Sequence, residues 1–339
     1  EIDIAVHSHK DLPTESPEGL MIAAVSERED PTEIILIRKE AVDEKQRFRI
    51  KKNAIFGTSS ARRKSQLLSF RPDLEIKDLR GNVPTRIKKL SENNYDAIMV
   101  AAAGVERLGI NLDEFEVEKV PAQVIVPAPA QGVLAWQIRE DDMDLMYLLE
   151  KLNCEDVETC IKVERKVLNM LDGGCHLPLG VYCEIDFNAN DKRVFKVWVS
   201  KAESWDKIPK RLYFESIFTD GLAEKIIEKL NTNQPKKVFI TRLVKPQDFL
   251  SNTLTSLGYE INFASLIDFK EVKINFIPSS AWIFFTSKHT VRYFFNQNPK
   301  IGTVKFGCVG KETSHELRQF GHRADPILPF QFLLTLITF

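Results

Sequence analysis

Short apolar runs alternate with amphipathic stretches along the first 150 residues of the chain. Five runs predict strands, namely IDIAVHS (2–8), EIILIRK (33–39), AIFGTSS (54–60), LEIKDLRGN (74–82) and YDAIMVA (95–101). Segments 60–70 and 83–94 predict helices, with Ser59 or Ser60 as the N-cap of the first and Pro84 in the first turn of the second. Strands that alternate with helices predict βαβ units and a mostly parallel sheet.

Polar residues cluster where these predicted strands end. The clusters are HSHKD (7–11), GTSSARR (57–63), LRGN (79–82) and AAAG (101–104). Ligands of open α/β sheets bind beyond the carboxyl ends of the strands. We therefore expect the clusters to line one ligand site.

The pattern changes after residue 150. Residues 157–171 predict an amphipathic helix whose inner face is apolar except for Glu164. Strand-like runs and a further helix follow, which predicts a small α+β domain over 150–232. The polar stretch NTNQPKK (231–237) predicts a linker, and a second α/β pattern occupies 236–330.

Composition narrows the class of protein. The 339 residues carry a net charge of −1, with 43% hydrophobic and 28% charged residues, as in a soluble globular protein. No apolar run reaches the roughly 18 residues of a membrane span, and no secretion signal opens the chain. The five cysteines show no metal-ligand spacing, and their odd number fits a reducing cytoplasm.

Residues 47–89 are strongly basic, with 13 Lys or Arg against three Asp or Glu. Five arginines lie at or just after predicted strand ends: Arg62, Arg63, Arg80, Arg86 and Arg107. Guanidinium groups bind carboxylates and phosphates through paired hydrogen bonds, so this number favours a polycarboxylate ligand. From their spacing alone, it is equally consistent that these arginines lie on solvent-exposed helix faces and bind no ligand. The hypothesis of a nucleic-acid-binding surface is less well supported. Such surfaces interleave aromatic residues with basic ones, and residues 47–89 contain only three aromatic residues.

The opening cluster offers candidates for catalysis. In β geometry His7 and His9 face one side, opposite Ser8 and Lys10. A histidine in an apolar strand is more often a hydrogen-bonded core residue than a catalytic one, and we favour that role for His7. Lys10 and Asp11 can both point into a cleft from a turn at the strand end. An ionised Asp11 can stabilise a positively charged transition state and transfer a proton.

One cysteine stands apart from the others. Cys175 follows Gly173 and Gly174 at the end of the predicted helix 157–171. The negative end of the helix dipole raises a thiol pKa there, which disfavours a redox or protease nucleophile. The local pattern favours a glycine cap with a buried cysteine, and leaves a covalent attachment point as the alternative.

Seven motifs in order resemble the porphobilinogen deaminase (hydroxymethylbilane synthase) family over residues 1–232. They are DIAVHSHKDLP (3–13), SEREDP (26–31), GTSSARRKSQL (57–67), DLRGNVPTR (78–86), YDAIMVAAAGVERLG (95–109), PAPAQGVLA (127–135) and DGGCHLPLG (172–180). The resemblance implies condensation of four porphobilinogen units, with release of ammonia, in tetrapyrrole (heme) biosynthesis. It also implies a dipyrromethane cofactor joined by a thioether to Cys175, which reverses the local interpretation of that residue.

The resemblance assigns roles to the remaining candidates. Asp11 matches the catalytic aspartate, which assists loss of the amine and stabilises the resulting positive charge. The binders of the pyrrole acetate and propionate groups match Ser8, Lys10, Thr58, Ser60, Arg62, Arg63, Arg80, Arg86, Gly104 and Arg107. No metal is implied.

Looser motifs in the last third resemble the start of uroporphyrinogen-III synthase, over about 236–330. They include KKVFITR (236–242), WIFFTSKHTVRYFF (282–295) and FGCVGKETSHELRQFG (306–321). The family's opening strand and two early loops have no counterpart here, and QFLLTLITF (331–339) resembles a truncated end. We therefore expect this chain to be a fragment of a bifunctional protein, with reduced or no activity by itself.

The expected fold is α/β: two periplasmic-binding-protein-like lobes, a small α+β domain and a partial α/β domain. The expected domains are 1–30 with 126–149, 31–125, 150–232 and 236–330. We expect a cytoplasmic protein whose deaminase part is monomeric and which binds neither membrane nor nucleic acid. The alternatives are a non-catalytic carboxylate-binding module of the two-lobed fold and an inactive truncated product.

Overall fold

The computed structural model describes residues 2–171, 177–232, 236–241 and 249–328. The predicted glycine stop with Cys175, part of the predicted linker and the apolar tail lie outside these ranges. The described chain has a mixed α/β fold, so the predicted class is confirmed. Its strands are β1 Ala5–Ser8, β2 Leu20–Val25, β3 Glu33–Arg38, β4 Ile55–Gly57, β5 Glu75–Lys77, β6 Ala97–Ala101, β7 Phe115–Val120, β8 Leu134–Arg139, β9 Leu179–Phe187, β10 Arg193–Lys201, β11 Lys210–Ser216, β12 Lys236–Ile240, β13 Tyr259–Phe263, β14 Trp282–Phe285, β15 Lys305–Val309 and β16 Ala324–Leu328.

The helices follow most of the predicted amphipathic stretches. They are α1 Ala61–Phe70, α2 Val83–Ser91, α3 Ala102–Leu108, α4 Met143–Glu150, α5 Glu155–Asn169, α6 Leu222–Asn231, α7 Phe249–Ser256, α8 Lys288–Phe295 and α9 Gly310–Gln319. Ser60 caps α1, because its side chain accepts a hydrogen bond from the Arg63 amide. Pro84 lies in the first turn of α2, as predicted.

The five-stranded sheet has the order β5-β4-β6-β3-β7. Helices α1, α2 and α3 each connect strands that run in the same direction, which confirms the βαβ units. The prediction of a mostly parallel sheet holds for β5, β4, β6 and β7, which run in one direction, whereas β3 lies antiparallel between β6 and β7. Strand β3 reaches β4 without an intervening α-helix, and only parallel neighbours require such a crossover.

A smaller antiparallel sheet, β1-β8-β2, joins residues that lie far apart in sequence. His7 stands opposite Ala135, and Ser8 stands opposite Leu134. Helix α4 packs on this sheet through Leu149, which is buried with Ala24 and Ile138. The pairing brings the start of the chain beside residues 134–139.

The third sheet is an antiparallel meander, β9-β10-β11, covered by α5 and α6. Glu164 is the polar residue on the inner face of α5, and its carboxylate binds the buried guanidinium of Arg28 at 2.8 Å. The same carboxylate accepts hydrogen bonds from the amides of Ala130 and Cys183. This ion pair explains the charged position in an otherwise apolar stripe, since a buried carboxylate needs such partners.

The chain divides into two compact units, residues 1–264 and 265–339. The first also contains the parallel pair β12 and β13 joined by α7, and Asn252 of α7 donates a hydrogen bond to the Ser69 carbonyl of α1. In the second, the parallel strands β14, β15 and β16 and the helices α8 and α9 enclose Phe285, Val291 and Phe306. Among the described residues, no helix is long and apolar enough to cross a bilayer.

Candidate functional site

A cavity of about 560 Å³ lies where two of the four predicted polar clusters, 7–11 and 57–63, meet. Four parts of the chain form its wall: the segment after β1, the start of α1, residues 128–131 and the junction of α5 with β9. The polar and charged residues on the wall are Lys10, Asp11, Thr14, Glu15, Ser60, Arg62, Arg63, Gln131 and Asn169. The structure therefore brings five of the predicted site residues to one cavity: Lys10, Asp11, Ser60, Arg62 and Arg63.

Lys10 and Asp11 belong to a 3-10 turn, His9–Asp11, that follows β1. The prediction that β geometry continues through His9 and Lys10 is wrong, because the strand ends at Ser8. The Leu12 amide closes the turn by donating to the His9 carbonyl at 3.3 Å, and the His9 amide donates to the Val133 carbonyl at 3.0 Å, which holds the turn against the segment before β8. Asp11 is exposed on the cavity wall, whereas Lys10 is half-buried beside it.

Burial, and after it the charge of Arg63, lowers the pKa of Lys10 to about 8, while Glu33 and Asp11 act in the opposite direction. Its Nζ lies 3.4 Å from the Gln131 side-chain oxygen. A lysine with this pKa still carries a positive charge at neutral pH and has shed part of its hydration. It is therefore suited to pairing with a ligand carboxylate.

The two histidines of the opening cluster face the protein. His7 Nε2 lies 3.2 Å from the Gln137 side-chain oxygen on β8. His9 is buried, and burial with the charges of Arg165 and Arg28 lowers its pKa to about 4. A ring that stays neutral at physiological pH suits the interior. Neither histidine lines the cavity.

Glu33 is the residue that the sequence analysis missed. It opens β3, is fully buried, and binds Arg62 Nη2 with Oε1 and Arg63 Nη2 with Oε2, each at 2.7 Å. Burial by itself raises a carboxyl pKa, but Arg63 and Arg62 outweigh it and hold the pKa of Glu33 well below its ordinary value. A charged first residue in the otherwise apolar run EIILI was the available signal.

The other predicted site residues lie outside the cavity wall. Arg86 is half-buried and donates to the Gly81 carbonyl at 2.7 Å, and its pKa is lowered by burial and by Arg63. Arg107 is exposed and donates to the Gly132 carbonyl at 2.8 Å. Ser8 and Arg80 are also exposed, Thr58 is buried and Gly104 is half-buried. None of these residues lines the described cavity.

Cys175 falls outside the described residues. The described residues on either side of that segment do line the cavity: Leu168 and Asn169 before it, and Leu177 and Leu179 after it. The described chain before and after residues 172–176 therefore lies at this wall.

The chemistry of the wall suits an anionic ligand. Arg63 is 7% exposed, and its Nε has no hydrogen-bond partner among the described residues. An unpaired donor of this kind on a buried guanidinium is costly unless a ligand accepts from it. Within the described ranges, no group of three His, Cys, Asp or Glu residues is placed to bind a metal ion.

Three family models match the chain. The model described as porphobilinogen deaminase, dipyromethane cofactor binding domain, matches residues 1–147, and the one described as porphobilinogen deaminase, C-terminal domain, matches 158–237. A model described as uroporphyrinogen-III synthase HemD matches 248–331.

Individual proteins are also similar. The porphobilinogen deaminase of Chloroherpeton thalassium is 42% identical over 67% of this chain and 69% of its own length. That of Syntrophomonas wolfei is 46% identical over 55% of this chain and 58% of its own length. An arginine-specific periplasmic binding protein of Salmonella typhimurium has a TM-score of 0.27 and 14% identity, over 38% of this chain and 56% of that one.

Proposed function

The chain belongs to the porphobilinogen deaminase family, and from that premise we propose that it catalyses the stepwise condensation of four porphobilinogen molecules with release of ammonia. This is the hydroxymethylbilane synthase reaction of heme biosynthesis. The chain spans 58 to 69% of the two relatives described above. The observation that carries the proposal is the cavity that places the Asp11 carboxylate beside Lys10, Arg62 and Arg63.

We assign substrate binding to the cationic wall. Each pyrrole of the growing chain carries an acetate and a propionate, so the ligand becomes more anionic at each condensation. Lys10 and Arg63 offer charge-assisted hydrogen bonds to these carboxylates from the wall. Arg80, Arg86 and Arg107 lie outside the wall, and we propose that they bind the carboxylates of a longer chain.

We assign general acid–base catalysis to Asp11. Its carboxylate stands on the cavity wall and belongs to a turn that the His9 amide fixes. From there it can give a proton to the departing amine nitrogen and stabilise the positive charge that develops on the substrate.

The described residues fit a dipyrromethane cofactor at this wall. Its four carboxylates match the positive charges of Lys10, Arg62 and Arg63 on the wall. We propose Cys175 as its attachment point, supported by Leu177, which lines the cavity only two residues further along the chain. When bound, the cofactor supplies the terminal pyrrole to which the first substrate unit is joined.

The HemD-like match over 248–331 supports a second activity in the same protein, that of uroporphyrinogen-III synthase. We propose four domains. The first combines residues 1–30 and 126–149, and the others are 31–125, 150–232 and 236–330. The first two form the lobes of a periplasmic-binding-protein-like fold. We further propose that the protein is cytoplasmic, that its deaminase part is monomeric and that it binds neither nucleic acid nor membrane.

The test combines turnover with mass spectrometry of the natural full-length protein. We expect ammonia release from porphobilinogen, and a peptide containing Cys175 whose mass is increased by one dipyrromethane. An unmodified Cys175 together with binding of porphobilinogen but no turnover would instead support a non-catalytic carboxylate-binding module. Absence of both binding and turnover would indicate an inactive product.

A further inference from the structure

Glu33 occupies an unusual place for a carboxylate. It is the first residue of β3, in the interior of the five-stranded sheet, opposite Ala101 on β6 and Val120 on β7. No part of it is exposed, and it does not line the cavity. Any effect of Glu33 on a ligand must therefore pass through the residues that it contacts.

The first contact is with the two arginines of α1. Each guanidinium gives one Nη to Glu33 and the other to a main-chain carbonyl: Arg62 Nη1 donates to Val126 at 2.9 Å, and Arg63 Nη1 to Met99 at 3.0 Å. These paired bonds fix the plane of each guanidinium. The Nε of Arg63 is left without a partner among the described residues.

The second contact reaches Lys10 through Gln131. The Gln131 Nε2 donates to the Pro31 carbonyl at 2.8 Å and to Glu33 Oε1 at 3.2 Å. Because both acceptors lie on this side, the amide oxygen of Gln131 is turned toward Lys10 Nζ. Glu33 thus selects the orientation of the amide that holds Lys10.

We propose that Glu33 is a positioning residue of this site, which fixes Arg62 and Arg63 directly and Lys10 through Gln131. The proposal rests on the proposed function, since it concerns how the polycarboxylate binders are held. Glu33 itself neither contacts the ligand nor lies on the cavity wall.

The charges around Lys10 give the proposal a distinctive readout. The charged groups that influence its ammonium group are Arg62, Arg63, Glu33 and Asp11. Both arginines favour loss of the proton, and both carboxylates oppose it. Replacing Glu33 by a neutral residue therefore lowers the pKa of Lys10 further below 8 and leaves two like charges uncompensated. A residue that only stabilised the fold would not move this titration.

The experiment uses the full chain and the variants Glu33→Gln and Glu33→Asp. The pKa of Lys10 is read from the pH dependence of its acetylation by trace acetic anhydride, measured on the peptide that contains it. Turnover of porphobilinogen is measured in parallel. We expect the Lys10 midpoint to fall by about one pH unit or more in Glu33→Gln, and kcat/KM to fall about tenfold or more, mainly through KM. Glu33→Asp keeps the charge and is expected to lie between Glu33→Gln and the parent.

Asp73→Asn is the matched control. Asp73 holds the buried Arg71 through bonds of 2.7 Å to Nε and Nη2, away from the cavity. Its loss is expected to lower stability without moving the Lys10 midpoint. If Glu33→Gln does not fold, Gln131→Met interrupts the link to Lys10 while keeping the ion pairs, and the midpoint should still fall.

An unchanged Lys10 midpoint in a folded Glu33→Gln chain, or in Gln131→Met if that variant replaces it, would overturn the proposal. Absence of turnover in the parent chain would count against the proposed function alone. The Lys10 titration does not require activity, so the two failures are distinguishable.

Discussion

Gly180 lies against the main-chain carbonyl of Val126: a Cβ at position 180 would stand 2.4 Å from the Val126 oxygen. That oxygen accepts hydrogen bonds from Arg62 Nη1 and Gln66 Nε2, each at 2.9 Å. Gly180 belongs to β9 of the third sheet. Arg62 belongs to α1, which connects β4 and β5 of the five-stranded sheet. The absence of a side chain at Gly180 therefore permits the contact that holds Arg62 in place.

Gly180→Ala should displace the Val126 carbonyl and, with it, Arg62. We expect a loss of about 1–3 kcal/mol in the free energy of unfolding, as for other overpacked interior sites, and a higher KM for porphobilinogen. Urea unfolding and steady-state kinetics check these effects. Gly302→Ala is the control, because a Cβ at Gly302 meets no atom within 4 Å. Equal stability of the two variants would contradict the packing argument.

Arg62→Met should destabilise the first unit even though methionine fills a similar volume. Glu33 would keep Arg63 but lose one of its two buried cationic partners. Removing one partner of a buried ion pair costs about 3–5 kcal/mol, and we expect the lower end because Arg63 remains. Denaturant unfolding measures the change. Lys88→Met removes an exposed pair with Glu92 and should change stability by less than about 0.5 kcal/mol.

Asp11→Asn should leave binding intact and slow the chemistry. The amide keeps the shape of the side chain but neither carries negative charge nor transfers the proton. We expect a loss of about 3–4 kcal/mol of transition-state stabilisation, roughly 10²–10³ in kcat, with little change in KM. Glu15→Gln removes another carboxylate from the same cavity wall and should retain most of the activity. Near-normal turnover by Asp11→Asn would refute the assignment.

Protonation of His9 should lower the free energy of unfolding at acidic pH. Its pKa is lowered from 6.5 to about 4 in the folded chain, so the unfolded chain binds a proton first as the pH falls. Above pH 6.5 both states are neutral at this residue and it contributes no pH dependence. Between pH 6.5 and 4 the free energy of unfolding should decrease by up to about 3 kcal/mol from this residue.

Comparison with His9→Gln isolates that contribution. Unfolding free energies of both chains at several pH values should differ in slope between pH 4 and 6.5, and run parallel at higher pH. Identical slopes would show that His9 titrates normally in the folded state.

The site was partly accessible from sequence. The motifs placed Lys10, Asp11, Ser60, Arg62 and Arg63 at strand ends, and the structure brings all five to one cavity. The roles of all the predicted site residues stay predictions, and Cys175 lies outside the described residues. The expected turn at Lys10 and Asp11 is present, but the expectation of β geometry through His9 was wrong, because a 3-10 turn begins there and is closed by the Leu12 amide on the His9 carbonyl.

The sequence alone determined where the individual strands and helices lie along the chain. Apolar periodicity, the Ser60 cap and Pro84 specify strand and helix positions through interactions within a few residues. The direction of β3, the burial of Glu33 and the clearance at Gly180 were decided only by tertiary structure. Each depends on partners 29 or more residues away in sequence, as with Glu33 and Arg62. A charged residue at the start of an apolar strand is ordinarily solvent-exposed, and only the packed sheet and the two arginines of α1 make a buried carboxylate favourable at Glu33.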